Sequence, residues 1–208
     1  MLVSIIAFNE AKMLPMCLGH LPHGTRVQVI DGAYVDYPYV KAYSTDGTLD
    51  IARRWGAEVV EVTEPWRDQI AKRTAQLTPG EVVFILDADE LLHSDLPELP
   101  EEADVGWVTM ASPVYDRPFL SPRVFRVREG WHYAGRHHWI FDAEGDLVTS
   151  HTYAGKKYRH AILPVTVTNE RDTREPVRDE DKAVYLGARR DQESRFAGEA
   201  SVYGGITA

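Results

Sequence analysis

Val82-Val83-Phe84-Ile85-Leu86-Asp87-Ala88-Asp89-Glu90 runs five apolar residues straight into three carboxylates within four positions. A short, continuous apolar run after the Pro79-Gly80 turn reads as a strand, Val82 to Leu86, buried on both faces of a parallel sheet. In doubly wound sheets the ligand lies in the crevice beyond the carboxyl ends of the strands. A strand that stops at Leu86 therefore aims Asp87 and Asp89 into that crevice.

Upstream, the same logic repeats. Leu2 to Ala7 is a nearly continuous apolar run, and Asn9 is placed to cap a helix carrying Met13, Leu14, Cys17, Leu18 and Leu21. Val27 to Ile30 reads as a second strand, Thr48 to Trp55 as a helix stopped by Gly56, and Val59 to Val62 as a third strand. A helix over Asp68 to Leu77 leads back to the acidic strand. Strands alternating with helices at this spacing indicate right-handed βαβ units, so residues 1–92 form a doubly wound, mostly parallel half. Downstream the pattern changes. A Pro- and Glu-rich loop at Pro97 to Glu102 precedes short apolar segments at Val105 to Met110, Val124 to Val127, Trp139 to Phe141 and Val165 to Val167. These predict a smaller mixed half over 93–170. Pro176 opens a helix to about Gln192, and 171–208 is that helix with a Gly- and Ala-rich tail. The expectation is one α/β domain over 1–208.

The chain has 208 residues, 44% of them apolar, enough for one good core. No run approaches the ~18 apolar residues that span a bilayer, and a strand starting at Leu2 leaves no room for a signal peptide. The single cysteine, Cys17, excludes an internal disulfide framework and fits a reduced, cytoplasmic setting. Net charge is -9, with 8 basic and 18 acidic residues up to Asp104 and 15 and 14 after it. That balance argues against affinity drawn from nucleic-acid phosphates.

The residues after each strand are Phe8-Asn9-Glu10, Asp31-Gly32, Thr63-Glu64 and Asp87-Ala88-Asp89-Glu90. Carboxylates converging on one edge are costly unless compensated, and a divalent cation is the simplest compensation. A hard cation held by one or two carboxylates and by substrate phosphates is the usual Mg²⁺ or Mn²⁺ arrangement. An Asp-x-Asp triplet alone is weak evidence: Asp179-Glu180-Asp181 is a second copy, read as solvated surface of a polar helix.

Four motifs, Ser4-Ile5-Ile6-Ala7-Phe8-Asn9-Glu10, Val29-Ile30-Asp31-Gly32, Ser44-Thr45-Asp46-Gly47-Thr48 and Ile85-Leu86-Asp87-Ala88-Asp89-Glu90, resemble in order and spacing the family 2 glycosyltransferases of GT-A fold. The resemblance extends more loosely through Arg123-Val124-Phe125-Arg126 and Gly135-Arg136-His137-His138. Compact members of this length also resemble bacteriophage-encoded enzymes. The resemblance implies a nucleotide-sugar donor, usually UDP-linked. It implies that Phe8 and Glu10 flank the base, that Asp31 holds the base or ribose, and that Arg73 is the basic residue of the helix before the acidic motif. Asp87 would contact ribose or metal, Asp89 the metal, and His138 would complete the metal shell; a histidine satisfied structurally is the alternative for His138.

Two departures stand out. Ala33 to Tyr43, with Tyr34, Tyr37, Tyr39 and Tyr43, separates two elements that the family joins directly; it is either an acceptor platform of stacking rings or a packed surface loop. Trp139 stands where many relatives have a Glu. Inversion at the anomeric carbon needs a carboxylate to take the acceptor's proton; Asp142 is the first candidate and Asp116 the second, each otherwise a turn residue. Arg171, Arg174, Arg178 and Lys182 form either a solvated face or an anion clamp. The expected activity is metal-dependent transfer of a hexose or pentose to a hydroxyl of a glycan, a protein side chain or a hydroxylated DNA base. A nucleotidyltransferase and a non-catalytic carbohydrate-binding protein on the same fold are the rivals.

Overall fold

The computed structural model describes residues 1–35, 41–112, 117–135, 139–149 and 157–170. In chain order the elements are β1 (Leu2–Ile6), α1 (Leu14–Gly19), β2 (Val27–Ile30), α2 (Thr48–Trp55), β3 (Glu58–Val60), α3 (Gln69–Thr74), β4 (Val82–Asp87) and β5 (Glu90–Leu92). They continue with β6 (Val105–Ala111), β7 (Phe119–Arg126), β8 (His132–Tyr133), β9 (Ile140–Phe141) and β10 (His160–Asn169). Eight strands make one sheet in the order β3-β2-β1-β4-β7-β6-β10-β5, and β8 pairs with β9 apart from it.

The first four strands are mutually parallel. Val83, Phe84, Ile85 and Leu86 are all 1% exposed or less, the burial that a continuous apolar run predicts for a strand covered on both faces. Alternation sorts them. Phe84 and Leu86 join Val3, Ile5 and the α1 and α2 residues Leu14, Cys17, Leu18 and Ala52 on one face. Val83 and Ile85 join Leu2, Leu77 and Ile70 of α3 on the other. Each fully buried aliphatic or aromatic side chain contributes ~1.5–3 kcal/mol, so these two clusters hold the sheet between its helices.

The α/β class, with a parallel half followed by a mixed half, is as expected. The mixed half continues the same sheet: β7 runs antiparallel to β4 and to β6, β10 runs parallel to β6, and β5 closes the far edge antiparallel to β10. Several local readings change, among them the last strand, which starts at His160, five residues before the expected Val165. Asn9 does not cap α1; it sits at φ 53° on the turn before it, and the helix starts at Leu14 behind Met13, which makes no side-chain cap. β5 and β8, of three residues and two, are too short to register as periodic patterns. β7 begins five residues before the expected Val124, because Pro122 disguises the strand; where Pro122 faces Trp107 the ladder slips by one residue, as proline requires of a strand interior. The expected C-terminal helix and tail lie outside the described residues.

Candidate functional site

From β1 the chain steps outward to β2 and β3, then returns to place β4 on the opposite side of β1. The direction of winding reverses between β1 and β4, and a crevice opens at such a reversal beyond the carboxyl ends of the two strands. Ile6 pairs with Asp87, and the Ala88 amide donates to the Ile6 carbonyl at 3.2 Å. The Phe8-Asn9-Glu10 turn and the Asp87-Ala88-Asp89 turn therefore border one crevice.

The first wall is stitched to the Ser44-Thr48 motif. Asn9 N donates to Ser44 Oγ at 2.7 Å, Glu10 N to Thr48 Oγ1 at 2.7 Å, and Ala11 N to Asp46 Oδ2 at 2.9 Å. In return, Thr45 N donates to Asn9 Oδ1 at 3.0 Å. Asp46 also accepts from the amide and hydroxyl of Thr48. Partial burial works to raise the Asp46 carboxyl pKa, but these hydrogen bonds outweigh it and hold the pKa below the ordinary value. Phe8 and Glu10, expected beside the base, are half-exposed on this wall.

Asp31 follows β2 and is fully buried. Its two oxygens accept from Ser44 N at 2.9 Å and Ser44 Oγ at 2.6 Å, and its carbonyl accepts from Trp66 Nε1 at 2.8 Å. The carboxylate expected to hold base or ribose thus holds Ser44. Gly32 has φ 113°, and a Cβ there would lie 2.4 Å from Val62 Cγ2, so only glycine lets the backbone pass.

The second wall is acidic and braced by two arginines. Arg73 donates to Asp87 Oδ2 at 2.8 Å, and the Asp87 amide donates to Glu90 Oε2 at 2.8 Å. Arg123 donates to Glu90 Oε1 at 2.5 Å. Arg123 is the extra residue of the β7 bulge, an irregularity that re-aims one side chain toward the turn. Burial pushes the Glu90 carboxyl up to about 7; Arg123 opposes the shift, and Asp87 and Asp89 add to it. Burial likewise raises the Cys17 thiol, which lies beneath the turn with Sγ 3.8 Å from the Asp87 carbonyl. Cys17 is a packed core residue.

The structure brings Phe8, Glu10, Arg73, Asp87 and Asp89 to the adjoining carboxyl ends of β1 and β4, with Asp89 4% exposed and Asp31 buried at the end of β2. Asp142 is 3% exposed, and its carboxylate accepts from Tyr158 Oη and Lys157 Nζ, both at 2.5 Å, and from the amides of Glu144 and Asp146. Burial would raise its pKa, but the bonds from Lys157 and Tyr158 pull it far below the carboxylate range. The carboxylate is thus bonded within the turn from Asp142 to Asp146 and to Lys157 and Tyr158. Asp116, His138, Tyr37, Tyr39 and the basic residues from Arg171 to Lys182 lie outside the described residues. Ser44, Trp66, Lys72 and Arg123 are parts of the site that the sequence did not single out. For Ser44 and Arg123 the signal was present, since each lies in a motif that carries the resemblance; for Trp66 and Lys72 no local pattern distinguishes them from core or surface.

No family model matches the chain. It is similar to proteins of Mycobacterium bovis and Mycobacterium tuberculosis named as uncharacterized glycosyltransferases, each 31% identical over 105 residues. The match covers 50% of this chain and 44% of the relative, so the chain spans less than half the length of these relatives. By name, the relatives are glycosyltransferases. Among solved structures the chain is similar to S. aureus TarS 1-349, at a TM-score of 0.40 and 18% identity over 56% of this chain and 37% of that one. A second TarS crystal structure gives the same score and identity over 22% of its length.

Proposed function

We propose that this chain is a glycosyltransferase of GT-A type, related to family 2, that moves a sugar from a nucleoside-diphosphate donor, UDP-linked by preference, to an acceptor hydroxyl. The observation that carries the reading is the meeting of two motifs at the reversal of the sheet: the Phe8–Glu10 turn, held rigid by Ser44–Thr48, faces the Asp87–Asp89 turn. A preformed crevice with one polar wall of fixed amides and one acidic wall suits a nucleotide whose phosphates arrive with a cation.

The acidic wall fits Mn²⁺ or Mg²⁺. Asp87, Asp89 and Glu90 crowd one turn, where Arg73 bonds Asp87 and Arg123 bonds Glu90, two positive charges against three carboxyl groups. Hard oxygen donors with surplus negative charge are what such a cation selects. Asp89, with Asp87 beside it, would hold the ion, and His138 would complete its shell. When bound, the ion supplies charge neutralisation for the departing diphosphate. Arg73 keeps Asp87 oriented, and Glu90 fixes the Asp87 backbone, so the chain's own contribution is a turn set before the donor arrives.

Inverting transfer needs a base near the acceptor. Of the two candidates, Asp142 and Asp116, we favour Asp116, because the Asp142 carboxylate accepts from Lys157 and Tyr158. The acceptor is a hydroxyl on a glycan, a protein side chain or a modified base; among the described residues no helix is long and apolar enough to cross a membrane. Incubation with UDP-sugars and Mn²⁺ tests the reading: slow release of UDP, lost on chelation, is expected. Pyrophosphate release from a sugar phosphate and a nucleoside triphosphate would replace it with a nucleotidyltransferase.

A further inference from the structure

Lys72, in the middle of α3, is 5% exposed. Its Nζ donates to the carbonyl of Ala7 at 2.8 Å and to that of Gly32 at 2.5 Å. Ala7 directly precedes the Phe8–Glu10 turn, and Gly32 directly follows Asp31. The same two turns are joined a second time, because Asn9 N donates to Ser44 Oγ and Ser44 Oγ donates to Asp31. A closed circuit results: Lys72 to Ala7, along the chain to Asn9, through Ser44 to Asp31, along the chain to Gly32 and back to Lys72. The next residue, Arg73, grips Asp87 at the end of β4. Adjacent residues of one helix therefore fix the ends of β1, β2 and β4, the strands that border the crevice.

A buried ammonium is costly, and a methionine would fill the same space without the desolvation. The charged groups facing Lys72 are Asp31, Arg73, Asp87 and Glu10. Burial pulls its pKa down to about 8; Asp31, Asp87 and Glu10 oppose the shift, and Arg73 adds to it. Deprotonation removes the charge and leaves two N–H groups, enough for the two carbonyls. What the lysine supplies at either charge is a fixed span between two backbone oxygens.

We infer that Lys72 is a positioning residue that sets the spacing of the β1 and β2 turns, and with it the pocket for the base and ribose of a nucleoside diphosphate. The inference rests on the donor-binding reading above. Its mode of action is preorganisation: the turns are held where the nucleotide meets them, so their ordering does not count against binding.

The test is calorimetric titration of the full chain with UDP, GDP and dTDP in the presence of Mn²⁺, comparing wild type, Lys72→Met and the core variant Val108→Ala. Lys72→Met is expected to bind about tenfold more weakly or worse, at unchanged stoichiometry per folded molecule. Val108→Ala lowers the melting temperature but keeps the wild-type dissociation constant, which separates positioning from general loss of stability. If Lys72→Met does not fold, Lys72→Gln replaces it; its shorter stem cannot span both carbonyls, and the same weakening is expected. A Lys72 variant that folds and binds within about twofold of wild type overturns the inference and leaves the functional reading standing. A wild type that binds none of the three nucleotides overturns both.

Discussion

Ser44→Ala is the sharpest test of how the crevice is built. Ser44 is 5% exposed, and its hydroxyl makes two bonds, donating to Asp31 at 2.6 Å and accepting from Asn9 N at 2.7 Å. Removing it leaves Asp31 Oδ1 without that donor at a site of 0% exposure, where water has no access to replace it. A hydrogen bond to a buried carboxylate is worth about 1.5–3 kcal/mol, and losing one partner exposes the other to its full desolvation penalty. Asn9 is exposed, so its amide finds water and adds at most about 1 kcal/mol. The sum is about 3 kcal/mol. For a chain of 208 residues, ~2–4 °C per kcal/mol makes this a fall of roughly 6–12 °C in Tm. Thr45→Ala is the matched control. Thr45 is exposed and engages Asn9 through its backbone amide, which alanine keeps, so a change within about 0.5 kcal/mol is expected. Urea denaturation of both variants, followed by circular dichroism, reads the difference. If Ser44→Ala is as stable as Thr45→Ala, the circuit joining the first two turns is not a structural element, and the rigid wall inferred from it goes too.

Three further outcomes follow from the same geometry. Asp89→Asn is expected to weaken Mn²⁺-supported UDP binding by about tenfold or more, and EDTA should reproduce the loss in wild type; titration calorimetry checks both. Gly32→Ala places a Cβ 2.4 Å from Val62 at φ 113°, so a loss of more than ~2 kcal/mol is expected in the same urea assay. Asp142→Asn is expected to retain turnover, since its carboxylate is held in a turn. Its effect belongs to stability: the Asp142 pKa is depressed on folding, so its stabilisation is present above the unfolded-state value of 3.8 and disappears as pH falls through the folded-state value. Wild type and variant should therefore differ at neutral pH and converge in acid, as followed by thermal melts across pH.

The parts of this fold that sequence reading recovers are those where one residue type answers one local demand. Val82 to Leu86 is apolar at every position because both faces of β4 are covered, and Gly56 ends α2 because the chain turns there at φ 91°. Asp87 and Asp89 are legible for the same reason, as charges at the end of a buried strand. Legibility fails where a residue's task is set by something distant in the chain. Arg123 looks like a surface arginine on a strand interrupted by proline; only the bulge it occupies shows that it reaches back to Glu90. Lys72 reads as one more polar position of a short helix, and its partners lie 65 and 40 residues earlier. Asn9 is the instructive error. An Asn ahead of a helix invites a capping assignment, but its amide and side chain are already bound to Ser44 and Thr45, 35 and 36 residues on.

That error also indicates how the Ser44–Thr48 motif acts. Ser, Thr, Asp and Gly in a short run ordinarily cap the helix they precede, and Asp46 does bond Thr48 at the start of α2. Yet Ser44 Oγ, Thr48 Oγ1 and Asp46 Oδ2 also accept the amides of Asn9, Glu10 and Ala11, three consecutive donors of the first turn. A side chain that both caps one element and satisfies another cannot be replaced without loosening both. The eleven residues from Ala33 to Tyr43 intervene between Gly32 and this motif, and still Ser44 returns to Asp31. The insertion is closed at its base, where Ala33 N donates to the Ala42 carbonyl at 2.8 Å. Loop closure grows costlier only as the logarithm of length, so an extension pinched at its neck adds little to the cost of joining its two ends. On the proposed donor-binding reading, shortening the loop between Ala33 and Ala42 is expected to change acceptor use in transfer assays while leaving the UDP dissociation constant within about twofold of wild type.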